Sequence, residues 1–151
     1  DSPAYAVNED ISPIFDKIEK EGYYAMSHVD PLENWVGLQA MRSLSATPHD
    51  LYGLNLPSGS CYGFYLENND ANELFNDFIK EEGLGMFKNE AIEEGKWHRH
   101  DEAVLALLLH QYGYPVFTFD PLFQSDSPEC VIRSGTAWSE DAKVYGDKYN
   151  V

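Results

Sequence analysis

A chain of 151 residues is about one domain long, and with 43% hydrophobic and 14% aromatic residues it has the material for a real core, which excludes disorder. Ten Lys and Arg stand against 26 Asp and Glu, a net charge of −16 that repels phosphate backbones and anionic lipid surfaces, so no nucleic acid partner is expected. A phosphate-bearing ligand would need a local remedy, most simply a divalent cation held by carboxylates, while acidity by itself also serves solubility.

Residues 1–7 are short and extended in character, and Ser12-Pro13 then supplies an N-cap with proline at the first helical position. A short helix through Ile14, Phe15 and Ile18 runs to Gly22, and Tyr23 to Met26 suits a strand. A helix is expected from Trp35 to Leu44, weakened by Gly37. Thr47 to Gly59 reads as loop, with Pro48, Gly53, Pro57 and Gly59, and Cys61 to Leu66 as strand. The best helical signal starts at Asp70, where Ala71, Leu74, Phe75, Phe78 and Ile79 share one face, Glu73 completes a capping-box pair and Gly83 ends the run. Lys88 to Glu94 fits a short solvated helix whose Glu90, Glu93 and Glu94 form a wet face. Next comes a buried helix from Glu102 to Tyr112, stopped by Gly113, and then a strand over Tyr114 to Phe119 with Pro115 at its entrance. After Asp120-Pro121 the chain reads as loop-rich.

The alternation of short strands and helices indicates an α/β class, with residues 1–135 as a single catalytic-type domain and 136–151 as a polar tail or wrapping segment. Cys61 and Cys130 lie far apart and outside any C-x-x-C pattern, so two partly buried free thiols are expected rather than a disulfide framework or zinc knuckle. With no signal-peptide core and no apolar run near about 18 residues, the chain reads as cytoplasmic or otherwise soluble, with no membrane span. Its first residue, Asp1, suggests a processed or excised piece.

The segment Trp97-His98-Arg99-His100-Asp101-Glu102 carries most of the chemistry, because it sets two imidazoles, a guanidinium and two carboxylates at the mouth of a helix too apolar for the surface. Asp101 is placed as the N-cap of that helix, which explains an aspartate there without any function. It leaves His98, His100 and Glu102 to be explained. Near a helix N-terminus a carboxylate can take a proton or orient a hydroxyl, while imidazoles and Arg99 hold a phosphate or a sugar hydroxyl. A competing reading makes His98, His100 and Asp101 the ligands of a metal-dependent hydrolase. A third treats the chain as a non-enzymatic acidic interaction module. Trp97 suits stacking on a sugar face, although core packing is the more usual use of such a ring.

In order along the chain, Asp1-Ser2-Pro3 followed by Asn8-Glu9-Asp10-Ile11-Ser12-Pro13-Ile14-Phe15, then Pro57-Ser58-Gly59-Ser60 with the strand to Leu66 and the helix bearing Ala71-Asn72-Glu73-Leu74-Phe75, and finally His98 to Glu102, resemble the motif order of GT-A-type glycosyltransferases. The correspondence departs at Pro3, where the second Asp of a D-x-D motif would stand, and the first βαβ units of such a fold have no counterpart in the sequence. The resemblance implies a GT-A-like, Rossmann-like mixed sheet flanked by helices, incomplete at the N-terminus. It implies transfer of a sugar from a nucleotide-diphosphate donor to a carbohydrate or other hydroxyl acceptor, with Mn²⁺ or Mg²⁺ at Asp1. Asp101 would be the acceptor-side carboxylate, with Glu102 the second choice. Ser58, Gly59 and Ser60 would border a sugar, and Trp97, His98, Arg99 and His100 would assist binding.

Overall fold

The structure is a computed structural model, and it describes residues 4–6, 8–88, 91–93, 96–116, 120–123 and 128–134. In chain order these form β1 (Ala4–Ala6), α1 (Ser12–Glu21), β2 (Tyr23–Pro31), a 3₁₀ turn (Leu32–Asn34), α2 (Leu38–Ser43) and β3 (Asn55–Phe64). There follow α3 (Asn69–Gly83), β4 (Ala91–Glu93), β5 (Lys96–Trp97), α4 (His100–Gln111) and β6 (Ile132–Ser134). The fold is thus mixed α/β. The described strands pair antiparallel as β1 with β6, β2 with β3 and β4 with β5, and a single parallel bridge joins Phe123 to Ile132.

The β2–β3 ladder is the platform on which the helices pack. Its register runs from Tyr23 opposite Phe64 to Pro31 opposite Asn55, with irregularities around Ser27 and Pro57. Pro57 has no N–H to donate, so a shift in register is where a strand tolerates it. The strand therefore begins at Asn55, not after the Pro-Gly-rich stretch, and of the expected loop only residues 47–54 lie outside it. β3 carries Tyr62 and Phe64 against Phe78 of α3, with ring centroids 5.9 and 6.2 Å apart.

Helix ends follow short-range chemistry. Gly22 closes α1 in the left-handed conformation at φ 85°, which favours glycine. The cap of α3 is Asn68, whose side chain accepts from the N–H groups of Asp70 and Ala71, so Asp70 lies inside the helix and the expected Asp70–Glu73 box is not the device used. α3 ends at Gly83 as expected, and in the turn after it Gly85 takes φ 82°. The helix expected from Trp35 to Leu44 is shorter, Leu38–Ser43, with Gly37 as its N-cap rather than an interior residue.

Two further expectations are corrected. Ala91 to Glu93 is strand, paired with Lys96–Trp97, not helix; the Glu90, Glu93 and Glu94 side chains lie outside the described residues. Tyr114 to Val116 is not strand. The Tyr114 N–H turns back to Leu109 O at 2.8 Å and Gly113 N–H to His110 O at 3.0 Å, a pattern that ends α4 and consumes the donor a ladder would need. The Tyr114 ring then stacks on Tyr23 at 4.5 Å, and the Tyr23 hydroxyl donates to Pro115 O. Residues 117–119 and the expected tail at 136–151 lie outside the described residues.

α4 is the centre of the core. Seven consecutive residues, Ala103 to Leu109, are all buried, as expected of a helix that is apolar all round. A smaller cluster of Tyr24, Met26 and Phe123 lies beside Ile18, Cys61 and Ile132. There Lys17 pairs with buried Asp120, whose other oxygen accepts Leu122 N–H at 2.8 Å, so α1 is tied to the segment after α4. Cys61 and Cys130 are free thiols, Cys130 buried and Cys61 partly so, and burial pushes the Cys61 thiol up to about 11. Among the described residues no helix is long and apolar enough to cross a membrane.

Candidate functional site

The entry to α4 is strained. His100, the first helical residue, has φ 34°, in the left-handed region that a side chain with a Cβ rarely adopts. The helix thereby starts before Asp101. Arg99 holds the cap position with no side-chain cap bond, and Asp101 and Glu102 fall in the first turn, where the helix dipole suits negative charge. Asp101 is therefore not the N-cap. Its Oδ2 instead accepts the Tyr62 hydroxyl of β3 at 3.1 Å. Burial first, and then the charge and hydrogen bond of Asp101, push the Tyr62 phenol up to about 12.

Glu102 reaches the same strand. Its Oε1 accepts the backbone N–H of Gly59 at 3.0 Å, and its Oε2 lies 3.7 Å from the Arg99 guanidinium, with only 13% of the side chain exposed. A Cβ on Gly59 would sit 2.6 Å from that Oε1, so a side chain at this position would displace the carboxylate. Arg99 is more exposed. Its guanidinium lies over the Trp35 ring at 4.6 Å, and its backbone N–H donates to Trp35 O at 2.9 Å. The result is a partly buried pair of carboxylates, each anchored to β3 from the N-terminal turn of a rigid helix.

No protein-family model, characterised protein or solved structure matches this chain.

Of the residues singled out in the sequence, the fold brings Gly59, Arg99, Asp101 and Glu102 together, with His100 at the strained turn between them. Ser58 is fully buried in β3. His98 has a different task. It is 2% exposed, its Nδ1 accepts Gly37 N–H at 3.0 Å, and its Nε2 lies 2.9 Å from Met86 O. An acceptor Nδ1 places the ring proton on Nε2, donating to the carbonyl. Both nitrogens are thus used by backbone, which corrects the expectation that His98 binds substrate and removes it from any metal set. With it goes the hydrolase centre of His98, His100 and Asp101. Among the described residues no group of three or more His, Cys, Asp or Glu could hold a metal ion. Asp1, the expected metal ligand, lies outside the described residues, as do the side chains of Ser60 and Trp97.

Two site residues were missed in the sequence. Tyr62 was one aromatic among eighteen Phe and Tyr, and nothing local in the chain marks it as the partner of an aspartate 39 residues away. Trp35 reads from the sequence as the start of a helix. Its ring becomes the seat of Arg99 because His98, just after β5, accepts from Gly37, the N-cap of α2.

Proposed function

We propose that this chain is the acceptor-side part of a GT-A-like glycosyltransferase, moving a sugar from a nucleotide-diphosphate donor to a hydroxyl of a carbohydrate or other acceptor. The observation that carries the reading is the bond between Gly59 N–H and Glu102 Oε1, which unites two motif segments 43 residues apart in the order such enzymes use. Gly59 belongs to the Ser58-Gly59-Ser60 strand and Glu102 to the late acidic helix start.

In this reading Asp101 is the general base of an inverting transfer. The acceptor oxygen bonds to the anomeric carbon, its proton passes to an Asp101 carboxylate oxygen, and the nucleotide diphosphate leaves with the electron pair of the broken C–O bond. The Tyr62 hydroxyl fixes one carboxylate oxygen and so aims the other. Glu102 acts as a positioning residue that locks the helix turn to β3, and the Arg99 guanidinium lies 3.7 Å from its carboxylate. The divalent cation, Mn²⁺ or Mg²⁺, belongs to the resemblance through Asp1. The described residues offer it no ligand set.

The donor half of the reading is tested by a melting-temperature panel of UDP-, GDP- and TDP-sugars with and without Mn²⁺. A donor at 100 times its Kd stabilises by about 2.7 kcal/mol, roughly 5–10 °C for a chain of this size. A panel in which no nucleotide sugar moves the transition would count against the transferase and favour an acidic interaction module.

A further inference from the structure

A cleft of about 620 Å³ opens between α1 and the end of β3. That volume suits a small-molecule site, about 300–1,000 Å³. Side chains alternate along β3, so Cys61 and Gly63 face Ile18 of α1, while the Tyr62 and Phe64 rings pack against Phe78 of α3 on the opposite face. Arg99, Asp101 and Glu102 do not line the cleft, which is a separate place from the carboxylate pair.

Its floor is apolar. Ile14 and Ile18 of α1 and Ile132 of β6 line it, and the missing side chain at Gly63 lets the helix come close, since a Cβ there would lie 2.7 Å from Ile18 Cδ1. Its rim is aromatic and acidic. Phe15 stands 60% exposed, Tyr65 follows directly on β3, and Glu19, four residues on from Phe15 and so on the same side of α1, is the one charged residue of the lining among the described residues. The Tyr65 hydroxyl donates to Glu67 at 2.9 Å, and that bond first, then desolvation and the charges of Glu67 and Glu19, push the phenol up. Two carboxylates therefore act on one ring of the rim.

The lysines of α1 are engaged elsewhere, Lys17 with Asp120 and Lys20 with Glu21. Among the described residues no cation lies within ion-pair distance of Glu19. In a chain of net charge −16, an apolar cleft edged by a carboxylate and by ring faces repels an anion and attracts a cation that carries an apolar body.

We propose that this cleft is a second ligand site and that it binds an organic cation, an ammonium group carried on an aryl or alkyl body. The body lies along Ile14, Ile18 and Ile132, and the ammonium meets the Glu19 carboxylate and the rings of Phe15 and Tyr65. Such a ligand is held whether or not the chain transfers sugars.

Titration calorimetry at neutral pH compares three probes of one shape, naphthylethylamine, naphthylethanol and naphthylacetate, which are cationic, neutral and anionic. The amine should bind roughly 3–10 times more tightly than the alcohol, and the carboxylate most weakly. Glu19→Gln should bring the amine down to the alcohol and leave the alcohol unchanged. Glu33→Gln removes the same charge from an exposed position outside the lining, and it should leave both unchanged. Phe15→Ala should weaken both ligands, the amine more. A carboxylate that binds as well as the amine, an amine no tighter than the alcohol, or equal effects of Glu19→Gln and Glu33→Gln overturns the proposal. So does Phe15→Ala without effect, or a failure of all three probes to bind.

Discussion

Replacing Gly59 with alanine tests whether the late acidic helix start and β3 are locked together as described. In a strand of ordinary backbone geometry, Gly→Ala stabilises by about 0.4–1 kcal/mol, because it restricts the unfolded chain. Here the added methyl would lie 2.6 Å from Glu102 Oε1 and 3.3 Å from its Cγ. The carboxylate is the end of a flexible side chain, so it can swing away, and in doing so it gives up the Gly59 N–H. A hydrogen bond to a charged group contributes about 1.5–3 kcal/mol, and although Gly59 itself is exposed, the Glu102 side chain that accepts this one is only 13% exposed. The difference is a net loss of about 1–2 kcal/mol, or roughly 2–8 °C in melting temperature. In a Glu102→Ala background the clash and the bond are both gone, and Gly59→Ala becomes neutral or stabilising. A double-mutant cycle by chemical denaturation should return a coupling of about 1.5–3 kcal/mol. Gly83→Ala, where a methyl meets nothing within 4 Å, is the control and should not destabilise. If Gly59→Ala has the same effect with and without Glu102, the contact does not join these elements.

His98→Ala bares two buried backbone groups, Gly37 N–H and Met86 C=O, and leaves a cavity, so it should cost roughly 3–6 kcal/mol. A melting temperature within a degree or two of wild type would return His98 to the candidate ligands. Tyr62 gives a pH signature. With its phenol pushed up from 10.0 to about 12, the folded chain holds that proton more tightly than the unfolded chain, so stability is fully present below pH 10 and is lost as the pH rises towards 12. Tyr62→Phe should lose less stability between pH 10 and 12 than wild type, followed by thermal melts across that window. An identical alkaline loss would contradict both the burial of Tyr62 and its bond to Asp101.

Signals confined to one stretch of chain were legible. The stop at Gly22, the apolar run from Ala103 to Leu109, the turn at Gly113 and the pair of free thiols all follow from residues acting on near neighbours. Whatever depended on a distant partner was not. Pro57 looked like loop because its lost donor is harmless only at the irregular register opposite Ser27. Tyr114 to Val116 looked like strand because its β-forming residues conceal a backbone donor already spent on closing α4. Asp101 looked like an N-cap, and Tyr62 across the fold gave its carboxylate another partner. His98 looked like a ligand because its two backbone partners are 61 and 12 residues away. The candidate site was half legible: the acidic helix start and Gly59 were chosen from the sequence, but their contact required the β2–β3 platform to bring them together.

The central claim is that Asp101 takes the acceptor proton in a sugar transfer, and the direct measurement is turnover of Asp101→Asn with a donor from the nucleotide-sugar panel and a carbohydrate acceptor. Asparagine keeps the shape and can still accept from the Tyr62 hydroxyl, but it cannot act as the base. Transfer should fall by about 10²–10⁴ while the donor-induced rise in melting temperature is unchanged. Turnover equal to that of wild type would contradict the account and remove Asp101 from the mechanism.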